Sequence, residues 1–411
     1  MNVRRTAAVL AATAVLGGAF APAASAASPS PSAPPPPAAL YGTADPTYDG
    51  VWRQSLALLA QHTVGVRPAA KAVDWLAGQQ CANGAFAAYR ADPKADCDAK
   101  TQVDTNSTAA AVQALAALGG HDAETGKAVA WLKSVQNEDG GWGFTAGGAS
   151  DANSTSTVVG ALAAVGAKPQ ETKSAKGHSP YDALVKLSLP CDGKDGGAFA
   201  YQPDKKGALA ANADATAAGA LAALGKGFVT GPGKTAGTAT CTDADTATAV
   251  AHNGAAYLAG ALKKTPYLKS AMPGATAQPD YGNTADAVVA LAAAGLSSAA
   301  ESPLAWLEKN AADWAEKSGP AAYAQLVFAA HATGTDPRAF GTVNLVDKLG
   351  ATGPAPQSAE KTAADGKQTQ ADDNKSQNDS GTTVWWFVGV FLVAGIGIGF
   401  LLSGRNRKRQ P

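Results

Sequence analysis

A short polar phrase recurs five times along this chain, and each copy opens an alanine-rich helix. The copies read Asp104-Thr-Asn-Ser-Thr-Ala109, Asp151-Ala-Asn-Ser-Thr-Ser156, Asn212-Ala-Asp-Ala-Thr-Ala217, Thr242-Asp-Ala-Asp-Thr-Ala247 and Asp280-Tyr-Gly-Asn-Thr-Ala285. Between copies runs a second phrase: a helix carrying Trp-Leu, then Gln, then a glycine-rich loop with an aromatic. Trp75-Leu76 with Gln79, Gln80, Gly84 and Phe86 is one instance, and Trp131-Leu132 with Gln136, Asp139, Gly140, Gly141, Trp142 and Phe144 is another. Two helices per unit at a period of roughly 50 to 65 residues describe a helical repeat, stacked or closed on itself. Such units cannot bury their apolar faces alone, so they must pack on one another.

The flanks read differently from the repeats. Arg4 and Arg5, an apolar run from Ala7 to Phe20 and Ala24-Ser25-Ala26 predict a secretory signal peptide over 1–26. A proline-rich leader over 27–40 follows. Near the other end, 384–402 is uncharged and apolar, long enough for a transmembrane helix. Trp385 and Trp386 stand at its outer edge, and Arg405, Arg407, Lys408 and Arg409 in the tail 403–411 place that tail in the cytoplasm. A polar, glycine-containing stretch over 351–383 reads as a disordered stalk. The expected organisation is therefore an exported domain over 41–350, tethered to the cell membrane by a single pass. Lysine plus arginine equals aspartate plus glutamate at 33 each, so no basic excess points to nucleic acid.

Cys81, Cys97, Cys191 and Cys241 all fall in predicted loops. An even count in an exported domain favours two disulfides, for which three connectivities exist. Nearest-neighbour pairing would close one loop each. A zinc site is the rival, but no Cys-x-x-Cys occurs and the histidines are scattered.

The helical segments fall into two alternating sets. Those near 47–63, 105–118, 152–165, 213–225, 283–295 and 320–333 are apolar on nearly every face, the pattern of buried helices. Those near 67–79, 124–136, 179–189, 245–263, 302–317 and 338–349 are amphipathic, with Lys127, Lys133, Asp182, Lys186, Glu308 and Lys309 on a wet face. Six of each predict an all-α fold, an α6–α6 toroid of two concentric rings, plus the one C-terminal transmembrane helix. Ser, Thr, Asp or Asn before each inner helix suits an N-cap, worth about 1 kcal/mol.

The Trp-Leu-x-x-Gln…Gly-Gly-x-aromatic phrase resembles the prenyltransferase/squalene-oxidase repeat, and the Asp-x-Asn/Asp-x-Thr-Ala openings look like that superfamily too. The resemblance covers essentially Tyr41 to Gly350. It implies the toroid, but it reaches members with different functions: triterpene cyclases, protein prenyltransferase β-subunits, complement-type thioester domains, and the α-domains of cobalamin carriers such as intrinsic factor.

Each branch makes its own demand on the residues. The cyclase motif Asp-x-Asp-Asp is incomplete: aligned on Thr-Ala, Thr242–Asp245 has alanine at the acid's place, and Asn212–Ala215 keeps Asp214 without its flanking carboxyls. Carbocation chemistry also needs aromatic faces, and the second to fifth inner helices carry only Tyr281. No zinc-ligand set stands free of the cysteine pairs, and Lys205, Lys206, Lys263 and Lys264 read as loop or surface residues, not a diphosphate pocket. The Gly-Cys-Gly-Glu-Gln run and the Gly-x-Ser-x-Gly elbow are both absent.

These readings favour binding over catalysis. Asp104, Asn106, Asp151, Asn153, Asn212, Asp214, Asp243, Asp245, Asp280 and Asn283 are expected to ring one mouth of the toroid as ligand-binding residues. Capping uses one acceptor per helix and leaves the second polar residue available. Amides and carboxylates around a mouth suit a ligand rich in amides and hydroxyls. The resemblance to the carriers makes a cobalamin-like corrinoid the favoured guest, with no cofactor required. Those carriers have a second, β-rich domain over the ligand, and none is read here, so a separate lid or transporter protein is an expected partner. A saccharide fits the same mouth, although Trp142, Phe144, Phe199 and Tyr201 read as loop-packing residues. The alternatives are an isoprenoid-directed cyclase or transferase using Asp214 or Asp245 as proton donor, and a structural envelope protein.

Overall fold

The computed structural model describes residues 37–235, 240–243, 245–270 and 277–357. Six helices form a closed inner ring: α1 (Gly50–Thr63), α3 (Thr105–Leu118), α5 (Ala152–Ala164), α7 (Ala213–Ala223), α9 (Tyr281–Ala293) and α12 (Pro320–Thr333). Each packs on the next, and α12 returns to α1. The outer layer comprises α2 (Ala70–Gly78), α4 (Asp122–Ser134), α6 (Pro180–Leu187), α8 (Ala247–Lys264), α10 (Ser297–Asn310) and α13 (Leu345–Gly350), with a short α11 (Ala312–Ser318) after α10. The ring is built from small side chains: Ala109, Ala110, Ala111, Ala114, Ala217, Ala220, Ala287 and Ala290 are all fully buried. Small side chains let helix axes approach closely while still removing apolar surface from water.

The α6–α6 expectation holds in count and order, with local departures. The segment near 302–317 is two helices, and α10 begins earlier, with Pro303 inside it. The segment near 338–349 is a 3-10 turn at Pro337–Ala339 followed by α13. Among the described residues no helix is long and apolar enough to cross a membrane. The expected signal peptide and transmembrane helix at 384–402 lie outside the described residues.

The two repeated phrases exist to grip each other. The threonine of the polar phrase offers its Oγ1 to the backbone N–H of the glycine-loop aromatic: Phe86 to Thr108 at 2.9 Å, Trp142 to Thr155 at 3.0 Å and Phe199 to Thr216 at 2.9 Å. In a fourth copy Leu268, which follows no such glycine, bonds Thr284 at 3.0 Å. The glutamine after Trp-Leu holds the same loops, Gln80 Nε2 donating to Gly84 O and Gln136 Nε2 to Gly140 O. Trp142 donates its indole N–H to Leu132 O at 2.7 Å. The loop glycine then seats its backbone on the next outer unit. At Gly140 φ is +93°, and a Cβ there would stand 2.2 Å from Ser179 O. Gly84 has the same relation to Lys127 O. Backbone cannot yield as a side-chain tip can, so Gly140→Ala is expected to cost about 3 kcal/mol or more, read as a fall in the urea midpoint with its slope unchanged. A loss under about 1 kcal/mol would contradict this interlock.

Both disulfides pair nearest neighbours, Cys81 with Cys97 and Cys191 with Cys241. The loop-entropy relation gives about 3 and about 4 kcal/mol for closing loops of such lengths. The ordered domain extends past both expected boundaries, 41 and 350. Leu40 is buried, Gly42 N–H donates to Thr352 O, the buried Tyr41 hydroxyl meets Gln61 Oε1 at 2.9 Å, and Gln357 bonds Arg67 O and Pro68 O. Residues 351–357, read as the start of the stalk, thus clasp the chain's entry to its exit. Arg53, 3 % exposed, completes the clasp by donating to Tyr41 O, Ala44 O and Asp49 Oδ1.

Candidate functional site: the polar mouth of the inner ring

The N-cap reading of the polar phrase is correct for four of its five copies. Asp104 Oδ1 accepts from Ser107 N–H at 2.6 Å, Asp151 Oδ1 from Ser154 at 2.7 Å, Asn212 Oδ1 from Ala215 at 2.9 Å, and Asp280 Oδ1 from Asn283 at 3.0 Å. These helices start at the same end of the ring, so their caps converge. The fifth copy is a correction. Thr242–Ala247 opens α8 of the outer layer, Thr246 is its cap, and Asp243 and Asp245 are exposed outside this cluster. The copy carries the Thr-Ala signature, but its threonine caps Ala249 N–H and clips no glycine loop.

Past the caps, the ring end has a rim and a floor. Asn106, Asn212, Asp280, Asn283 and Tyr201 are partly exposed, whereas Asp104, Asp151, Asn153 and Asp214 are buried. Asn153 Nδ2 on α5 donates to Asp214 Oδ2 on α7 at 2.7 Å, so two residues read from sequence as one site are in direct contact. Asp280 Oδ2 takes a bond from Asn283 Nδ2 at 2.9 Å. Five oxygens in this group, Asn106 Oδ1, Asp151 Oδ2, Asn153 Oδ1, Asp214 Oδ1 and Asn283 Oδ1, are buried without a protein donor. Unmatched buried acceptors are rare and each costs about 1–3 kcal/mol.

Two members of the site were missed in the sequence. Asp286, fully buried one turn inside α9, is held by Gln325 of α12, whose Nε2 donates to Oδ1 at 3.1 Å and to Oδ2 at 3.2 Å. The signal was present: a carboxylate and an amide, each inside an otherwise apolar helix, with no wet face to occupy.

Asp151, Asp214, Asp280 and Asp286 feel one another's charge, whereas Asp104 is buried at its own helix start with its carboxyl bonded only to Ser107 and Asn106. Burial raises Asp104 to about 6 and Asp151 to about 6, against the bonds from their capped N–H groups. Burial, with repulsion from Asp280 and Asp151, raises Asp214 to about 6 despite the Asn153 bond. Asp280 is raised by burial as well. Asp286 is pushed well above the carboxylate range, first by burial and then by the charge of Asp214. The Tyr201 hydroxyl lies beside Asp151, and burial with the neighbouring carboxylates raises it too. This end of the ring therefore holds protons in mild acid and offers acceptor oxygens as Asp104, Asp151 and Asp214 release them through about pH 6.

The aromatics divide. Trp142 and Phe199 are fully buried, as expected of loop-packing residues. Phe144 is 47 % exposed, with its carbonyl bonded to Thr105 N–H at the start of α3, and Tyr201 O accepts from Ala152 N–H at the start of α5. Phe144 and Tyr201 thus edge the mouth, correcting their reading as packing alone. Tyr48, 70 % exposed, stands before α1 at the same end. Tyr281 is drawn outward, stacked on Trp306 and Trp314.

Residues 51–239 match the family model described as the prenyltransferase alpha-alpha toroid domain. No curated protein matches the chain. Among solved structures, the chain is similar to ent-copalyl diphosphate synthase from Streptomyces platensis at 16 % identity and a TM-score of 0.42, over 69 % of this chain and 50 % of that one. It is similar to a sugar epimerase from a ruminal bacterium at 13 % identity and a TM-score of 0.42, over 66 % of this chain and 79 % of that one. The chain thus spans half the length of the synthase, and at these scores neither likeness carries a functional argument.

Proposed function

Because this chain carries a toroid domain of the prenyltransferase type, we propose that it works as a non-enzymatic capture module, binding a ligand that donates hydrogen bonds at the inner-ring mouth. One observation carries this reading: the unmatched buried side-chain atoms of this mouth, on Asn106, Asp151, Asn153, Asp214 and Asn283, are all oxygens. A guest bearing several N–H or O–H groups would satisfy them, and a guest offering only acceptors would not. Half-exposed Phe144 and Tyr201 add flat apolar faces beside those oxygens. A planar macrocycle edged with primary amides, a cobalamin-like corrinoid, meets both demands and is our favoured ligand. The caps of α3, α5, α7 and α9 hold the rim, while Asp286 and Gln325 brace the floor from α9 and α12. The export signal at 1–26 and the apolar stretch at 384–402 belong to the same proposal, placing the module at the cell surface on a membrane tether, where a separate protein would close over the ligand or take it up.

A second reading rests on a specific observation. Asp214 and Asp286 are buried acids whose environment favours the protonated form, as a proton donor to an isoprenoid double bond requires. Asp245 drops out of that reading because it is exposed on the outer layer. Calorimetric titration of residues 37–357 with cobalamin, an oligosaccharide and an isoprenoid diphosphate separates the two. Capture expects saturable heat with cobalamin and no isoprenoid product. Isoprenoid turnover that disappears in Asp214→Asn or Asp286→Asn would overturn it.

A further inference from the structure

We propose that Gly225–Gly233 is a built-in plug, and that Phe228 is the residue that keeps extended apolar molecules out of the ring. The segment leaves the end of α7 and then touches every other helix of the inner ring. Phe228 N–H donates to Gln113 Oε1 of α3 at 3.1 Å. Its ring meets Trp52 of α1 edge-on, with centroids 5.4 Å apart, and stacks on Phe328 of α12 at 6.3 Å. Gly227 lies so close to α5 that a Cβ at Gly160 would stand 2.8 Å from Gly227 Cα. Gly233 N–H donates to Ala292 O of α9 at 2.8 Å, and a Cβ on Gly233 would stand 2.1 Å from Ala293 O. Only a segment crossing the ring's axis can reach all six helices. Phe228 is 1 % exposed and Thr230 3 %.

Two consequences follow for what the ring can hold. Phe228 occupies the apolar space between Trp52 and Phe328, so these aromatics fill the interior instead of lining a cavity. Glycine at 160 and 233 lets backbone sit where side chains would collide, which fits the ring to this occupant. The plug closes the interior from the C-terminal side, so a guest at the polar mouth stays at the mouth. This inference concerns the apolar interior and does not depend on which ligand the mouth takes.

The test uses the full chain and benzene, a probe that enters dry apolar cavities. Phe228→Ala should lower the melting temperature and gain a benzene-dependent rise of about 2 °C or more at saturation, while the wild type and Phe228→Leu should show none. An equal benzene response in wild type and Phe228→Ala, or no response in a folded Phe228→Ala, would overturn the plug. Should Phe228→Ala fail to fold, hydrogen exchange in the wild type decides. The Phe228 amide should exchange as slowly as those of the inner helices, and exchange as fast as an exposed loop would overturn the proposal.

Discussion

The buried carboxyls of the mouth are expected to cost this domain several kcal/mol of stability as pH rises from 4 to 8. Asp104, Asp151 and Asp214 are each held at about 6 in the fold, against an ordinary 3.8. Asp280 and Asp286 are raised in the same direction. A raised carboxyl binds its proton more tightly folded than unfolded. Its contribution is therefore complete below the unfolded value, near 4, and is lost as pH rises through about 6. Two pH units correspond to about 3 kcal/mol for a single buried group, and mutual repulsion makes the groups non-additive. Asp214→Asn keeps an acceptor for Asn153 and removes the charge. It should raise the unfolding midpoint at pH 8 by the equivalent of about 2–3 kcal/mol, change little at pH 4, and flatten the profile between. Asp286→Asn should act in the same sense. Burial holds His62 and His331 below the ordinary imidazole value, which opposes this trend in mild acid. The check is therefore the melting-temperature difference between wild type and Asp214→Asn from pH 4 to 8, and a difference that does not grow with pH would contradict it.

Much of this arrangement is legible in the residues, for reasons that also mark where legibility ends. All-apolar alanine helices alternating with amphipathic ones leave little choice but two layers, and the structure closes them into a ring. The caps at Asp104, Asp151, Asn212 and Asp280 follow from local chemistry, because a short side-chain acceptor must meet N–H groups three residues on. Asp243 and Asp245 went astray because the local phrase matches while its context does not: no aromatic glycine loop bonds Thr246. The clasp through 351–357 was hidden because a polar tail gains order only from the partner it meets, here Tyr41 and Arg67. Nothing local in Gly-Lys-Gly-Phe228 marks it for burial. Its burial depends on helices far apart in sequence, from Trp52 to Phe328, and no local pattern reports that.

Loss of ligand affinity is the second large effect expected, and it falls on the unmatched oxygens. Asn106→Ala and Asn153→Ala each remove an acceptor with no protein donor, so each should weaken cobalamin binding by about 10- to 100-fold. Asp245→Ala, exposed on the outer layer, should leave the affinity unchanged. Equal loss at Asp245, or none at Asn106 and Asn153, would move the site away from this end of the ring.

The most direct measurement is the proton balance of cobalamin binding. Ligand N–H groups bonded to Asp151 and Asp214 favour the ionised carboxyls, so binding at pH 6 should drive protons off. Calorimetry in two buffers of different ionisation heat reads that number. We expect about one proton released per ligand at pH 6, shared between Asp151 and Asp214, an affinity that rises from pH 5 to 7, and a release that falls by about half in Asp214→Asn. Binding with no proton exchange and a flat pH dependence, or no binding heat at all, would contradict capture by the buried carboxyl mouth.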